Sequence, residues 1–326
     1  MAYQNRILST GTVFGIEDNG VWSFADLNGD GNQDLVYIKT RNTGTGRIEV
    51  HGSYKGSNFQ QHDVHTGTAF GIEDNGTWLM QDWTGDGKAD LVYIKTRNTG
   101  TGSVELHVAD AASGYQKFVL QTGTCFGCEE DGVWTMTRKG DLVYIKTRNC
   151  GSNKIELHVA SKASNYREYS LHIATDFNVE DNGTWCLAPK CSGDFADLYY
   201  IKTRNTPAMT EVHAVSASSG WKTHSIDVAT CFGPEENGQW LMVDFTRRRR
   251  PDLVYIKTKS TGTGKIEVHV AENGEQDDRN GNDTALAITA VASICVVVPM
   301  LPILPVALLP VALIPGAVTL VAGLLS

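Results

Sequence analysis

Trp22 to His51 reads WSFADLNGDGNQDLVYIKTRNTGTGRIEVH, and near copies of this stretch return at Trp78, Trp134, Trp185 and Trp240. Each copy continues into a version of D-L-V-Y-I-K-T-R-N and then of I-E-V-H. Successive Trp residues lie 56, 56, 51 and 55 positions apart. A period of that length with strand-like content marks a repeat architecture, in which one supersecondary unit stacks on the next. Hydrophobicity of period two within a copy suits half-buried strands and excludes an amphipathic helix.

In the second copy the spacing predicts strands over Trp78 to Asp82, Asp90 to Arg97, Val104 to Ala109 and Tyr115 to Gln121, with turn chemistry at Asn98 to Gly102. Four antiparallel strands in about 55 residues is the content of one propeller blade. The N-terminal run Ala2 to Phe14 lines up with Gly114 to Phe126, which makes it a fourth strand without the three before it. The fifth copy stops near Gly274 without its own fourth strand. The expected fold is therefore all-β: a five-bladed propeller over residues 1–274, closed by the N-terminal strand so that no edge is left unpaired.

Between the first two strands of copy one, Asp26, Asn28, Asp30 and Asp34 stand at positions 1, 3, 5 and 9 around Gly31. Copy two repeats this with Asp82, Thr84, Asp86 and Asp90. Oxygen side chains at odd spacing around a Gly bend suit a hard cation, Ca2+ above Mg2+. The loop is not an EF-hand, because Tyr37 and Tyr93 occupy the twelfth positions where that motif needs Glu. This loop and the F-G-x-E-x-N/D-G-x-W run before each first strand resemble the FG-GAP or VCBS repeats of integrin alpha chains and of fungal and bacterial lectins. The resemblance covers residues 1 to about 274. It implies a propeller, calcium loops that staple strands, and ligand binding more often than catalysis. Copies three to five depart from it: only Asp141 survives in the third, Pro189 and Cys191 replace the first two ligands in the fourth, and Arg248 replaces Asp30 in the fifth. Two calcium sites are expected.

Glu and His recur two apart on the third strand of each copy, as Glu49/His51, Glu105/His107, Glu156/His158, Glu211/His213 and Glu267/His269. A catalytic pair is singular, so a pair that returns in every blade reads as a cross-strand polar ladder. The five Trp residues read as core. Phe59, Tyr115, Tyr166 and Trp221, with Tyr3 at the equivalent place, each follow a small-residue turn on a segment otherwise polar. They are the candidate ligand residues, a sugar platform being one reading and inter-blade packing the other. The functional expectation is a non-catalytic, multivalent glycan-binding propeller. Its alternatives are an integrin-like adhesion module for protein partners and, behind that, a glycosidase, which would need a unique carboxylate pair.

The formal net charge is -9, and a chain without a basic stripe is a poor nucleic-acid binder. The one basic run, Arg247 to Arg250, reads as a decayed loop. Residues 275–284 have linker composition. Residues 285–326 carry no charge and five prolines, which predicts a membrane-inserted segment, with a removed anchor or a gene-model error as the alternatives. No N-terminal signal peptide is visible, while the sequons at Asn75, Asn182 and Asn282 fit secretion, so an extracellular or membrane-associated location is left open. Seven cysteines without a repeated pattern read as thiols.

Overall fold

The computed structural model describes residues 1–188 and 196–274. They belong to one compact unit, Met1–Gln276, made of five four-stranded antiparallel sheets. Blade one comprises β2 (Gly20–Ala25), β3 (Asp34–Lys39), β4 (Glu49–Ser53) and β5 (Val64–Gly67). Blade two comprises β6 (Gly76–Gln81), β7 (Asp90–Lys95), β8 (Glu105–Ala109) and β9 (Phe118–Gly123). Blade three comprises β10 (Gly132–Met136), β11 (Leu142–Lys146), β12 (Lys154–Ala160) and β13 (Tyr169–Asn178). Blade four comprises β14 (Gly183–Ala188), β15 (Asp197–Lys202), β16 (Glu211–Val215) and β17 (His224–Ala229). Blade five takes β18 (Gly238–Val243), β19 (Asp252–Lys257) and β20 (Glu267–Glu272), and receives β1 (Asn5–Gly11) from the N-terminus as its outer strand.

β1 pairs antiparallel with β20 from Asn5↔Glu272 to Gly11↔Glu267, so the first and last strands of the propeller close the ring. The inner strands touch in sequence, β2 to β6, β6 to β10, β10 to β14, β14 to β18, and β18 back to β2. Among the described residues no helix is long and apolar enough to cross a membrane. The linker at 275–284, the apolar segment 285–326 and the loop with Pro189 and Cys191 lie outside the described residues.

The repeated letters of the sequence are repeated contacts. Trp22, Tyr37, His51 and His65 stand side by side across blade one, blade three repeats the row as Trp134, Tyr144, His158 and His172, and the other blades keep its Trp-Tyr-His part. Trp stacks on Tyr in each blade at centroid distances of 4.0 to 4.3 Å. The Phe of each F-G-x-E run meets the Trp edge-on at 4.8 to 5.3 Å. Such edge-to-face and offset pairs add to the gain from burial itself. The Glu of that run pairs with the Lys that ends each second strand, as in Lys95–Glu73 at 2.9 Å and Lys257–Glu235 at 2.8 Å. A Cβ at Gly76 would lie 2.1 Å from the Ile94 carbonyl oxygen, and its four equivalents are as tight, which explains the invariant Gly before x-W.

One expectation about the strands is corrected. Second strands do not alternate: β3, β7, β15 and β19 are buried at five consecutive positions. Each lies between two neighbouring blades, so Val36 and Ile38 join Trp78, Met80 and Leu91 of blade two, while Leu35 and Tyr37 join Val254 and Ile256 of blade five. A strand covered on both faces needs apolar residues on both.

Candidate functional site

The Asp that opens each second strand has a role beyond any metal. Asp90 Oδ2 accepts the backbone N–H groups of Trp83 (3.0 Å) and Thr84 (2.9 Å), and Oδ1 accepts that of Ala111 (2.8 Å). Asp34 does the same with Leu27 and Lys55, and Asp252 with Thr246 and Asn273. Asp141 and Asp197 accept from Lys162 and Ala217, so the contact survives where the acidic loop has decayed. This carboxylate therefore ties the loop after the first strand to the turn after the third. Burial pushes the Asp34 carboxyl up to about 6, with Asp30 and Asp26 adding to the rise against the lowering N–H bonds from Lys55 and Leu27.

Of the other oxygen groups of the two acidic loops, Asp26, Asn28 and Asp82 are half-buried and Asp30, Thr84 and Asp86 exposed. Asp26 accepts from Gly29 (2.7 Å) and Gly31 (2.6 Å), and Asp82 from Gly85 (2.7 Å) and Gly87 (3.1 Å). Those four glycines all have positive φ. Asp30 and Asp86 accept from Asn32 and Lys88 and are exposed, as are Asn28 Nδ2 and the loop tips around them. An all-oxygen donor set on a glycine bend fits a hard cation. No three of the described carboxylates here bring ligand atoms within 4.8 Å of one another. Among the described residues, the groups with ligand atoms within 4.8 Å of one another are instead Glu49–His51–His65 and Glu156–His158–His172. The basic run of blade five reaches this region: an added Cβ at Gly31 would lie 2.8 Å from an Arg247 guanidinium nitrogen.

Phe59, Tyr115, Tyr166 and Trp221 are 1%, 4%, 0% and 5% exposed, so the packing reading holds and a sugar cannot stack on them. Each follows a 3-10 turn and has φ near +60°, and the residue before it (Asn58, Gly114, Asn165 or Gly220) is left-handed too. Two such residues in succession fold the ring back beneath the turn. Phe59 has no polar atom, but in the others that atom donates to the carbonyl just ahead of the stapling Asp: Tyr115 to Ala89 (3.2 Å), Tyr166 to Gly140 (2.8 Å), Trp221 to Ala196 (3.1 Å), with Tyr3 to Pro251 (3.2 Å) alongside.

Three positions further along the chain lies a surface series that the sequence reading missed. His62, Phe118, Tyr169 and His224 each set a ring edge-on against the Phe of an F-G-x-E or equivalent run, at 5.0, 4.7, 4.9 and 5.0 Å. Arg6 takes the fifth place, its guanidinium 4.6 Å over Phe232. Tyr169 is 49% exposed, Phe118 is half-buried and the other three are exposed. Each Phe-bearing segment runs from one blade to the next, as its backbone bonds show: Ile48 N–H donates to Phe70 O in blade one, and Ala69 N–H to Tyr115 O in blade two. The groove between two blades thus carries one planar side chain, with polar groups beside it such as Asp176 and Asp227 around His224. The constant i to i+3 offset from the buried ring was the available signal.

Two cavities lie on the axis. One of about 510 Å³ is walled by the inner strands, including Ser23, Thr77, Thr135, Thr184, Cys186 and Gln239. Its described walls hold no carboxylate or imidazole, and burial pushes the Cys186 thiol up to about 12, far from a nucleophile's range. The second, of about 740 Å³, opens among the loops and brings Asp26, Asp82 and Asp244 together with Arg138, Arg247 and Arg249. The Glu-His pairs sit elsewhere, on the third strands. Glu49, Glu105 and Glu267 each take the N–H of Thr45, Thr101 or Thr263 on one oxygen and face the His with the other. A turn-capping role in blade after blade is the structural part of the ladder.

Neither a family model nor a curated protein matches this sequence. Two crystal structures of puromycin hydrolase, one of a mutant complexed with PGG, are similar at a TM-score of 0.30. They are 15% and 16% identical over 71% and 72% of this chain, which spans about a third (33%) of that protein's length. A likeness of that size carries no argument about the site.

Proposed function

We propose that the propeller is a multivalent, non-catalytic glycan-binding module, with one shallow site in each inter-blade groove. The observation that carries this reading is the fivefold series of surface planar side chains, His62, Phe118, Tyr169, His224 and Arg6, each propped on a buried Phe, Arg6 through a cation–π contact with Phe232. Sugar recognition wants an apolar plate beside hydrogen-bonding groups, and weak sites gain strength from number. Near-equivalence of the blades also speaks for binding over hydrolysis, which needs one unique carboxylate pair. In this reading Asp26, Asn28, Asp30, Asp82, Thr84 and Asp86 hold calcium, with Asp34 and Asp90 behind them, and the ion stiffens the loops without taking part in recognition.

A glycan array on the full chain tests it, with Phe118→Ala and Tyr169→Ala as the variants. Each should lower the array signal, the pair more than either, while both variants keep a cooperative melting transition, Phe118→Ala at a lower temperature because its ring packs on Phe70. Unaltered binding in the folded double variant would refute the groove assignment. A second reading, adhesion to a protein partner, is favoured by the exposed apolar residues Ile16, Ile72 and Val179 at equivalent places in three of the F-G-x-E-type runs. Absence of any glycan signal would turn attention to that surface, and cleavage of a bound glycan would revive the glycosidase.

A further inference from the structure

The residue facing the recurrent His across the sheet differs from blade to blade. It is His65 in blade one, Gln121 in blade two, His172 in blade three, Asp227 in blade four and Ser9 in blade five. Where it is Gln, Asp or Ser it meets the imidazole Nδ1, at 3.4, 2.6 and 2.8 Å, and the row ends in a hydrogen bond. In blades one and three two imidazoles face each other, with centroids 4.2 and 4.1 Å apart. No hydrogen bond joins them, and His158 Nε2 is buried without a hydrogen-bond partner.

We propose that blades one and three each carry a site for a divalent transition-metal ion of the zinc class, formed by Glu49, His51 and His65 and by Glu156, His158 and His172. One ligand atom from each of the three residues lies within 4.8 Å of the others. Glu49 Oε2 is 3.1 Å from His51 Nε2, and Glu156 Oε2 is 3.4 Å from His158 Nε2. A tetrahedral zinc with bonds near 2.0–2.1 Å spans donor-to-donor edges of about 3.4 Å, so two donors of each set already stand at such an edge. Imidazole with carboxylate selects zinc or its neighbours over calcium and magnesium, and the three-ligand set leaves a fourth position for water.

The surroundings orient these donors. Glu49 Oε1 is held by Thr45 N–H (2.8 Å), and Glu156 Oε1 by the N–H (3.0 Å) and hydroxyl (2.7 Å) of Ser152, which leaves Oε2 directed at the His in both. Tyr37 and Tyr144 back the inner rings at 6.2 and 6.1 Å. The Glu is buried, the inner His half-buried and the outer His exposed, so an ion has a path from solvent. Glu and His two apart share a strand face, and the third donor comes from the directly opposed residue, an arrangement that a sheet provides without any loop.

The test is titration of the untagged, chelator-stripped full chain with Co2+, read by its visible absorption, and with Zn2+, read by calorimetry. Two equivalents are expected at micromolar concentration. His65→Gln and His172→Gln should each remove one, and the double variant both; Gln is chosen because Gln121 already occupies that place in blade two. Gln121→His should add a third equivalent beside Glu105 and His107, a gain that loss of folding cannot mimic. A wild-type chain that takes up neither ion, His→Gln variants that keep two equivalents, or a Gln121→His variant that gains none would overturn the proposal.

Discussion

Removing the Asp90 carboxylate in the presence of a chelator separates its two possible duties, stapling backbone and holding an ion. Asp90→Ala strips the acceptor from three N–H groups, those of Trp83, Thr84 and Ala111. Each of these part-buried N–H groups left without a partner costs about 1–3 kcal/mol. Burial of the carboxylate itself, which raises its pKa, offsets part of that, so the expected loss is about 3–6 kcal/mol. With a urea slope of about 3 kcal/mol per M, the midpoint should fall by about 1–2 M. Asp252→Ala, in a blade whose loop carries arginines, should behave alike. The exposed carboxylates give the contrast: Asp30→Ala with Asp86→Ala should leave chelated stability within about 0.5 kcal/mol while abolishing any calcium gain, which mass action sets at about 2.7 kcal/mol per site at a hundred times Kd. A chelated Asp90→Ala chain within about 1 kcal/mol of wild type would refute the staple.

Deleting residues 1–11 removes β1 and Tyr3 and leaves β20 as an open edge, so the truncated chain should lose its cooperative thermal transition; a truncated chain that melts like the full one would break the closure argument. Asp34 gives a pH prediction. Its folded pKa of about 6 lies above the ordinary 3.8, so its stabilising contribution is full below about pH 4 and is lost as pH rises through 6, by at most about 3 kcal/mol. Comparison of wild type with Asp34→Asn between pH 4.5 and 7.5, under chelation, cancels the opposite effect of His51, His158 and His269, which burial holds below the ordinary histidine value. The stability difference should move against wild type as pH rises, and a flat difference would show that Asp34 ionises freely.

The repeat period, the missing fourth strand of copy five and the spare strand at the N-terminus were enough to deduce five blades and their closure, because chain connectivity and strand count are properties of sequence order. Trp as core was legible for a similar reason: a period of two sets Trp78 and Met80 on one face of β6, and both are buried. The continuous burial of residues 90–94 and their counterparts was not, since it depends on a second blade covering the outer face, and the partner lies some 55 residues away.

Site residues divide along the same line. The sequence alone placed oxygen side chains on the acidic loops and Glu beside His on every third strand, because these are local spacings. Only the tertiary structure decided that Tyr115 and Tyr166 lie inside and that Phe118 and Tyr169 lie outside. Two left-handed residues at the end of a 3-10 turn reverse the direction of the side chain, and no hydrophobic period records a change of backbone hand. Cross-strand register, likewise, is what sets His65 against His51 and His172 against His158: the residues are 14 positions apart in sequence, and only the hairpin between them makes them neighbours.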